Sequence, residues 1–411
     1  MSSKKYFNVV YRLESPLSIG SGENANTDSD VILDSRGMPV IPATAFAGIF
    51  RHFLDAQGNN NIFGYINGND SVESKIRFYD ARLISDDLFT TVRDSVALKN
   101  KVGKKGAKFD FEAVETGIDF ASLIELNDAD DTEEDILNAL SAINEGFLRV
   151  GSKTSRGFGQ LKVISLKKAS FILPDDKKIW LDFDAFEPNE NSYIECKLPS
   201  LSNRFIKFKL DLKQKGAISI RSYTVKNAAD ISSADYVQLS LKNGTPVISG
   251  TSWAGAFRSR FTKLANDSDE KITKELFGYV DTENGKQKKS LIYFSESEIS
   301  GAEMKVITRN SIDRFSAGTK DGALYTEKTC YNGSCTLDIF INKNGLTDAE
   351  KKVAYLCAAI CDLNKGYLAV GGLTSVGRGM FAVENMTING TDVTVSLNSE
   401  DVPAMTKEAL R

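Results

Sequence analysis

Histidine is almost missing from this chain: His52 stands alone among 411 residues. That excludes a ribonuclease or hydrolase built on two imidazoles, and leaves acid–base chemistry to a carboxylate, a lysine or a metal-bound water. His52 itself reads as a helix-surface residue. Cysteine is scarce and odd in number, five in all, which argues for reduced thiols and against a disulfide framework. No apolar run approaches the roughly 20 residues that a spanning helix needs. The opening MSSKKYFNVVYRLE lacks the apolar core of a signal peptide, so the expected location is cytoplasmic. A surplus of basic charge is absent too. Fifty-one Lys and Arg against 55 Asp and Glu leave a net charge of −4, so any basic surface must be local.

What the chain does contain is repetition. GMPVIPATAFAGIFR (37–51) matches GTPVISGTSWAGAFR (244–258) at an offset of 207. VRDSVALKNKVGKKGAKF (92–109) lies over TRNSIDRFSAGTKDGALY (308–325) at 216, and the stretch 127–151 lies over 347–371 at 220. VGSKTSRGFGQLKV (150–163) returns as VGGLTSVGRGMFAV (370–383). Landmarks in one order, at slowly growing offsets, mean two copies of one fold. The expected division is a first domain over 1–185, a linker over 186–203, a second domain over 204–395 and a tail over 396–411.

Each copy opens on an alternating strand, Phe7, Val9, Tyr11 and Leu13 in the first, Ile206, Phe208, Leu210 and Leu212 in the second. A helix begins near Thr44 or Thr251, and another near Asn127 or Thr347, where TDAE (347–350) has the form of a capping box. A glycine loop then leads into a last strand. This strand, helix, strand, strand, helix, strand order predicts an α+β fold of two tandem ferredoxin-like (RRM-like, βαββαβ) domains with inserted basic hairpins.

Gly151, Gly157 and Gly159 permit positive φ and remove β-carbons, so successive amides can face an anion, with Lys153 and Arg156 beside it. The same loop also reads as an ordinary turn between helix and strand. It is neither a mononucleotide nor a dinucleotide loop, because its glycines precede a strand and lack the required spacing. Cys330 and Cys335 bracket YNGS, a hairpin signal, and are expected to face each other across two strands. Cys357 and Cys361 read as core residues, and the spacing gives a four-cysteine zinc site no support.

Taken together, PLSIGSG with DSDVILDSRGMPVIPATAFAGIFR, the hairpin RNSIDRFSAGTKDGALYTE and the loop GSKTSRGFG resemble the RAMP superfamily of CRISPR systems. Within it they are similar to the Cas-seven-like backbone subunit of type III effector complexes, in two fused copies as in type III-D. The resemblance implies a subunit that binds guide crRNA, pairs it with single-stranded target RNA among other CRISPR effector subunits, and cuts the target.

The resemblance also assigns residues. It implies catalytic and metal-binding roles for Asp28 and, at the offset of 207, for Asp235, with Mg2+ or Mn2+ as cofactor; Asp30 and Asp34 have no acidic counterpart. A turn-capping role is the plain alternative for both aspartates. The hairpins would lie across the guide–target duplex, Lys101, Lys104 and Lys105 in the first copy, Arg309 and Arg314 in the second, unless they are merely solvated loops. Arg51 and Arg258, at one point of the first helix in each copy, become guide-phosphate contacts. In the second glycine loop Gly371, Gly377 and Gly379 recur, but Val376 replaces Arg156, and Arg378 is the candidate substitute. A non-catalytic crRNA scaffold of the same fold, or a guide-processing endoribonuclease, are the alternative functions.

Overall fold

The computed structural model describes residues 2–20, 27–55, 61–68, 70–85, 90–99, 102–128, 132–186, 193–201, 204–222, 234–268, 270–281 and 284–411, the side chains at 61, 94 and 96–108 excepted. Two compact units result, Met1–Thr154 with Phe158–Ser202, and Ser155–Gly157 with Asn203–Arg411.

The first unit is built on β1 (Ser2–Leu13), α1 (Ala43–Asp55), β2 (Ile76–Phe78), an inserted hairpin of β3 (Thr90–Lys99) and β4 (Val102–Val114), then β5 (Asp119–Asn127), α2 (Glu133–Asn144) and β6 (Leu161–Leu173). The main sheet runs β6-β1-β5-β2 with every neighbour antiparallel. Alternation in β1 sends Phe7, Val9, Tyr11 and Leu13 into the core, each fully buried. There they meet the face of α1 that carries Phe46 and Phe50, and Tyr11 stacks on Phe46 at 5.3 Å. Ile136, Leu140 and Ile143 form the buried stripe of α2.

The second unit repeats the plan: β7 (Phe205–Lys215), α3 (Gly250–Leu264), β8 (Ile292–Phe294), the inserted pair β9 (Glu303–Arg309) and β10 (Tyr325–Tyr331), β11 (Ser334–Asn342), α4 (Ala349–Lys365) and β12 (Met380–Ile388). Its main sheet runs β12-β7-β11-β8, again antiparallel throughout. Ile206, Phe208, Leu210 and Leu212 are the buried side of β7. Both units bulge at the same step of the first strand, after Val10 and after Asp211.

Several sequence expectations give way to tertiary structure. Asn127 still belongs to β5, where it pairs with Lys4, so α2 begins six residues later, at Glu133. The TDAE capping box does not form. Lys352, 1% exposed, takes the carbonyl of Thr347 at 2.7 Å and its hydroxyl at 2.9 Å, and reaches Glu275 at 2.5 Å. A buried ammonium without those acceptors would be far costlier than an uncapped helix. Asn332 and Gly333 do not close a hairpin, because β10 and β11 lie in different sheets; the chain crosses between them there, and Cys330 and Cys335 are free thiols. The expected tail is folded: Asp401 caps α5 (Val402–Leu410), and Met405 and Ala409 are fully buried.

The first unit has one addition that the repeat does not predict. A short helix, Lys177–Leu181, and the residues after it fold back over the outer face of the main sheet. Trp180 donates to the Tyr6 hydroxyl at 3.0 Å, and Phe183 packs against Tyr6, Phe171 and Tyr193.

Candidate functional site

Four motifs that lie far apart in sequence meet in each unit. In the first, the exit of β1 joins the second arm of the inserted hairpin through a bridge between Leu17 and Val114. The aspartate loop joins the exit through Ile32 N–H to the Ile19 carbonyl, 3.0 Å, and the glycine loop joins it through Ser152 N–H to the Ser18 carbonyl, 2.8 Å. The second unit makes the same contacts: Ile218 opposite Cys330, Leu239 N–H to Ile220 at 2.7 Å, and Gly372 N–H to Ser219 at 2.8 Å. The repeat therefore extends to a landmark that the sequence comparison passed over, Ser18-Ile19-Gly20 against Ser219-Ile220-Arg221 at an offset of 201.

The candidate aspartates occupy one position in this arrangement. Asp28 Oδ2 accepts the amide of Asp110 at 3.0 Å, and Asp235 Oδ2 accepts the amide of Thr326 at 2.7 Å. Asp110 and Thr326 are themselves equivalent, at the hairpin offset of 216. In the first unit the contact is reciprocal, since the Asp28 amide donates to Asp110 Oδ1 at 3.0 Å. Asp110, which sequence reading missed, thus adds a second carboxylate beside Asp28; the second unit has a threonine there. Asp34 is a turn cap. Its carboxylate takes the amides of Met38 and Arg36, which with the Arg36 guanidinium hold it below the usual carboxylate range. Among the described residues no group of three or more His, Cys, Asp and Glu is placed to hold a metal. Carboxylate oxygens are donors of the kind magnesium takes. Among the described residues the first unit sets Asp28 and Asp110 against each other, and the second sets Asp235 against Thr326 at the equivalent place.

Four of the loop glycines have no room for side chains. What they approach so closely is protein backbone. A β-carbon on Gly159 would stand 1.8 Å from the Val150 carbonyl oxygen, and one on Gly379 1.8 Å from that of Val370; Gly151 and Gly371 would meet Ser18 and Ser219 oxygens at 2.6 Å. All four have positive φ. The amides of Gly159 and Gly379 are spent on the carbonyls of Pro16 and Ala217. Gly157 and Gly377 share the positive φ, and Arg156 closes a short 3₁₀ turn in the first loop.

Cations are distributed unequally. Lys153, in left-handed conformation, lies 3.6 Å from the centroid of Phe111 and 5.6 Å from that of Phe109. Arg378 is not a surface cation: it is 3% exposed and paired through both terminal nitrogens with Glu327, itself 1% exposed. The positions of this pair are those of Phe158 and Phe111 in the first unit, which touch edge to face at 5.6 Å. One unit fills the site with an aromatic pair and the other with an ion pair. Arg309 lies 3.5 Å from the same Glu327. It stands opposite Tyr325 where the first unit sets Ser95 opposite Phe109, so its counterpart is Ser95 and not Arg93.

Arg51 and Arg258 are half tied down. Arg51 donates to the Phe63 carbonyl at 3.4 Å and lies over the Phe63 ring; Arg258 donates to the Gly278 carbonyl at 3.3 Å and meets Glu270 at 3.1 Å. Both thereby hold an Ile/Leu-Phe-Gly-Tyr segment, a further repeated landmark. Lys101 lies outside the described residues, and Lys104 and Lys105 are placed only by their backbone in β4. Arg314 is exposed on the connection between β9 and β10, beside Phe315, which is 97% exposed.

Comparison with known proteins agrees with this duplication. No curated protein matches the chain. A subunit in the cryo-EM structure of a type III-B Cmr-beta complex bound to cognate target RNA is similar at 19% identity and a TM-score of 0.34, over 40% of this chain and 61% of that one; the match spans less than two thirds of the relative. The model of the RAMP superfamily matches residues 10–162 and again 221–382, well over half of the chain. The chain belongs to the RAMP superfamily and carries its domain twice.

Proposed function

We propose that this chain is a backbone subunit of a type III CRISPR effector that holds guide crRNA and cuts the paired target RNA at two positions, one per unit. Its β-α-β-β-α-β order, with the sheet arranged fourth-first-third-second, is read as a tandem ferredoxin-like fold. The carrying observation is the equivalent placement of Asp28 and Asp235 on the hairpin amides of Asp110 and Thr326. A role confined to one copy would not require that contact twice.

The chemistry is attack by the 2′-oxygen of the target on its adjacent phosphorus, with the bond to the 5′-oxygen breaking. It leaves a 2′,3′-cyclic phosphate and a 5′-oxygen that takes a proton from water to become a hydroxyl. Asp28 and Asp235 take the 2′ proton or hold a divalent cation, and the hairpin to which each is bonded keeps the carboxylate beside the strand it serves. Magnesium or manganese, when bound by Asp28 with Asp110 or by Asp235, supplies positive charge for the phosphate. Much of the rate comes from holding the nucleotide in line, which orientation alone can provide. Lys153, Arg51 and Arg258, with the basic hairpins, bind backbone without regard to sequence.

A second reading has one observation in its favour. Each aspartate already caps a backbone amide, which is sufficient employment for a residue of a non-catalytic scaffold. The double variant Asp28→Ala with Asp235→Ala in the assembled complex separates the two, losing target cleavage under the first reading and keeping it under the second. Excess chelator stops cleavage and leaves crRNA binding intact if the aspartates hold a cation, and leaves cleavage undiminished if they only take the proton. A target with 2′-deoxyribose at the cut position resists cleavage if the attacking oxygen is the 2′-hydroxyl.

A further inference from the structure

Arg221 is a cation that the repeat does not account for. Gly20 stands at its position in the first unit. The Arg221 guanidinium lies on the ring of Tyr236, 3.9 Å from the centroid, next in sequence to Asp235. Its Nε is closed off from solvent and has no hydrogen-bond partner among the described residues. The same atom lies 3.7 Å from where a β-carbon on Gly372 would stand, so the side chain runs along the second glycine loop. A donor sealed from water without an acceptor is costly, and a polarised guanidinium on an aromatic face is held in one orientation before any ligand arrives.

The first unit meets the same need from a different place. There the glycine loop itself supplies Lys153, seated on Phe111 and Phe109. Its counterpart in the second unit is Leu373, with φ of 58° against 56° for Lys153. The aromatic base is kept as well, since Tyr325, the equivalent of Phe109, packs edge to face with Tyr236. Glycine with lysine in one copy is exchanged for arginine with leucine in the other. Both arrangements set one cation on an aromatic cluster beside the amide that binds the candidate aspartate.

We propose that Arg221 is the phosphate-binding residue of the second site, taking a phosphodiester of bound RNA where Lys153 does so in the first. This rests on the RNA-binding reading above. A guanidinium donates through two edges, so it fixes a phosphate oxygen bidentately where lysine offers a point charge.

The test uses the full chain and a fluorescein-labelled single-stranded RNA, with affinity followed by anisotropy across a potassium chloride series. Arg221→Gln is expected to weaken binding about tenfold and to make the salt slope shallower by about 0.7. The double variant Arg221→Gly with Leu373→Lys, which copies the arrangement of the first unit, is expected to recover most of the loss. A merely structural arginine would not be rescued in this way, so loss without recovery overturns the proposal. Wild-type affinity and slope in Arg221→Gln overturn it while the RNA-binding reading stands. If the wild-type chain binds no RNA, both fall together.

Discussion

Removing Glu327 by alanine should cost the second unit more than any surface change. The carboxylate is 1% exposed, it receives both terminal nitrogens of Arg378, which is 3% exposed, and it lies 3.5 Å from Arg309. Its loss leaves a buried guanidinium with no counter-ion and a second cation at its side. Breaking a buried pair from one side costs about 3–5 kcal/mol. In a unit of this size each kcal/mol is worth about 2–4 °C in Tm, so the expected drop is roughly 10 °C. Arg378→Ala should fall by a similar amount for the mirror reason. The double variant Glu327→Phe with Arg378→Phe is the informative one. It copies Phe111 and Phe158, which touch at 5.6 Å in the first unit, and exchanging a buried ion pair for well-packed apolar groups is neutral or stabilising by about 1–4 kcal/mol. Thermal unfolding followed by circular dichroism on wild type, the two alanine variants and the double decides the matter. Additive losses in the double, or alanine variants that melt within about 2 °C of wild type, would show that the ion pair does not replace the aromatic pair in the core.

Other consequences follow from the same geometry. Gly159→Ala and Gly379→Ala place a β-carbon 1.8 Å from a carbonyl oxygen at positive φ and should each lose at least about 2 kcal/mol in urea unfolding; Gly377→Ala, with no atom within 4 Å, should lose about 1. Burial works against the Glu133 charge, but Lys168 and Lys5 at 2.6 and 2.5 Å hold its carboxyl below the usual range. Its contribution is therefore complete above the unfolded value, about 4.3, and lost as pH falls through the lower folded value; Glu133→Gln should flatten the acid limb of stability against pH. Burial pushes the thiols of Cys330 and Cys361 up to about 11 and those of Cys335 and Cys357 up to about 12. At pH 8 a thiol reagent should thus titrate Cys196 quickly and the other four only after unfolding.

The duplication was legible in the sequence because both copies keep their glycines, and the structure shows why at four of them: Gly151, Gly159, Gly371 and Gly379 are fixed at positive φ by close contacts with backbone that a β-carbon would break. The alternation of the first strands was legible for a similar reason, since a one-residue slip would expose the whole core face. What the sequence hid is where a long-range partner decides. Asp110 pairs with Asp28 across 82 residues, and no local pattern announces it. Arg378 reads as a surface cation until Glu327, 51 residues away, is found against it. The TDAE motif has the right local chemistry and loses it to a buried lysine. Trp180 and Phe183 lie in a stretch without period, and only the sheet beneath them explains their aromatic content.

The most direct measurement of the central claim is a gel of end-labelled target RNA cut by the assembled complex containing wild type, Asp28→Ala, Asp235→Ala or both changes. Each carboxylate is bonded to its own hairpin, so each should serve one phosphate. The account predicts two cuts in wild type, loss of a different one in each single variant, loss of both in the double, and RNA binding retained in all four. Two undiminished cuts in the double variant would contradict it and return both aspartates to the capping of loops.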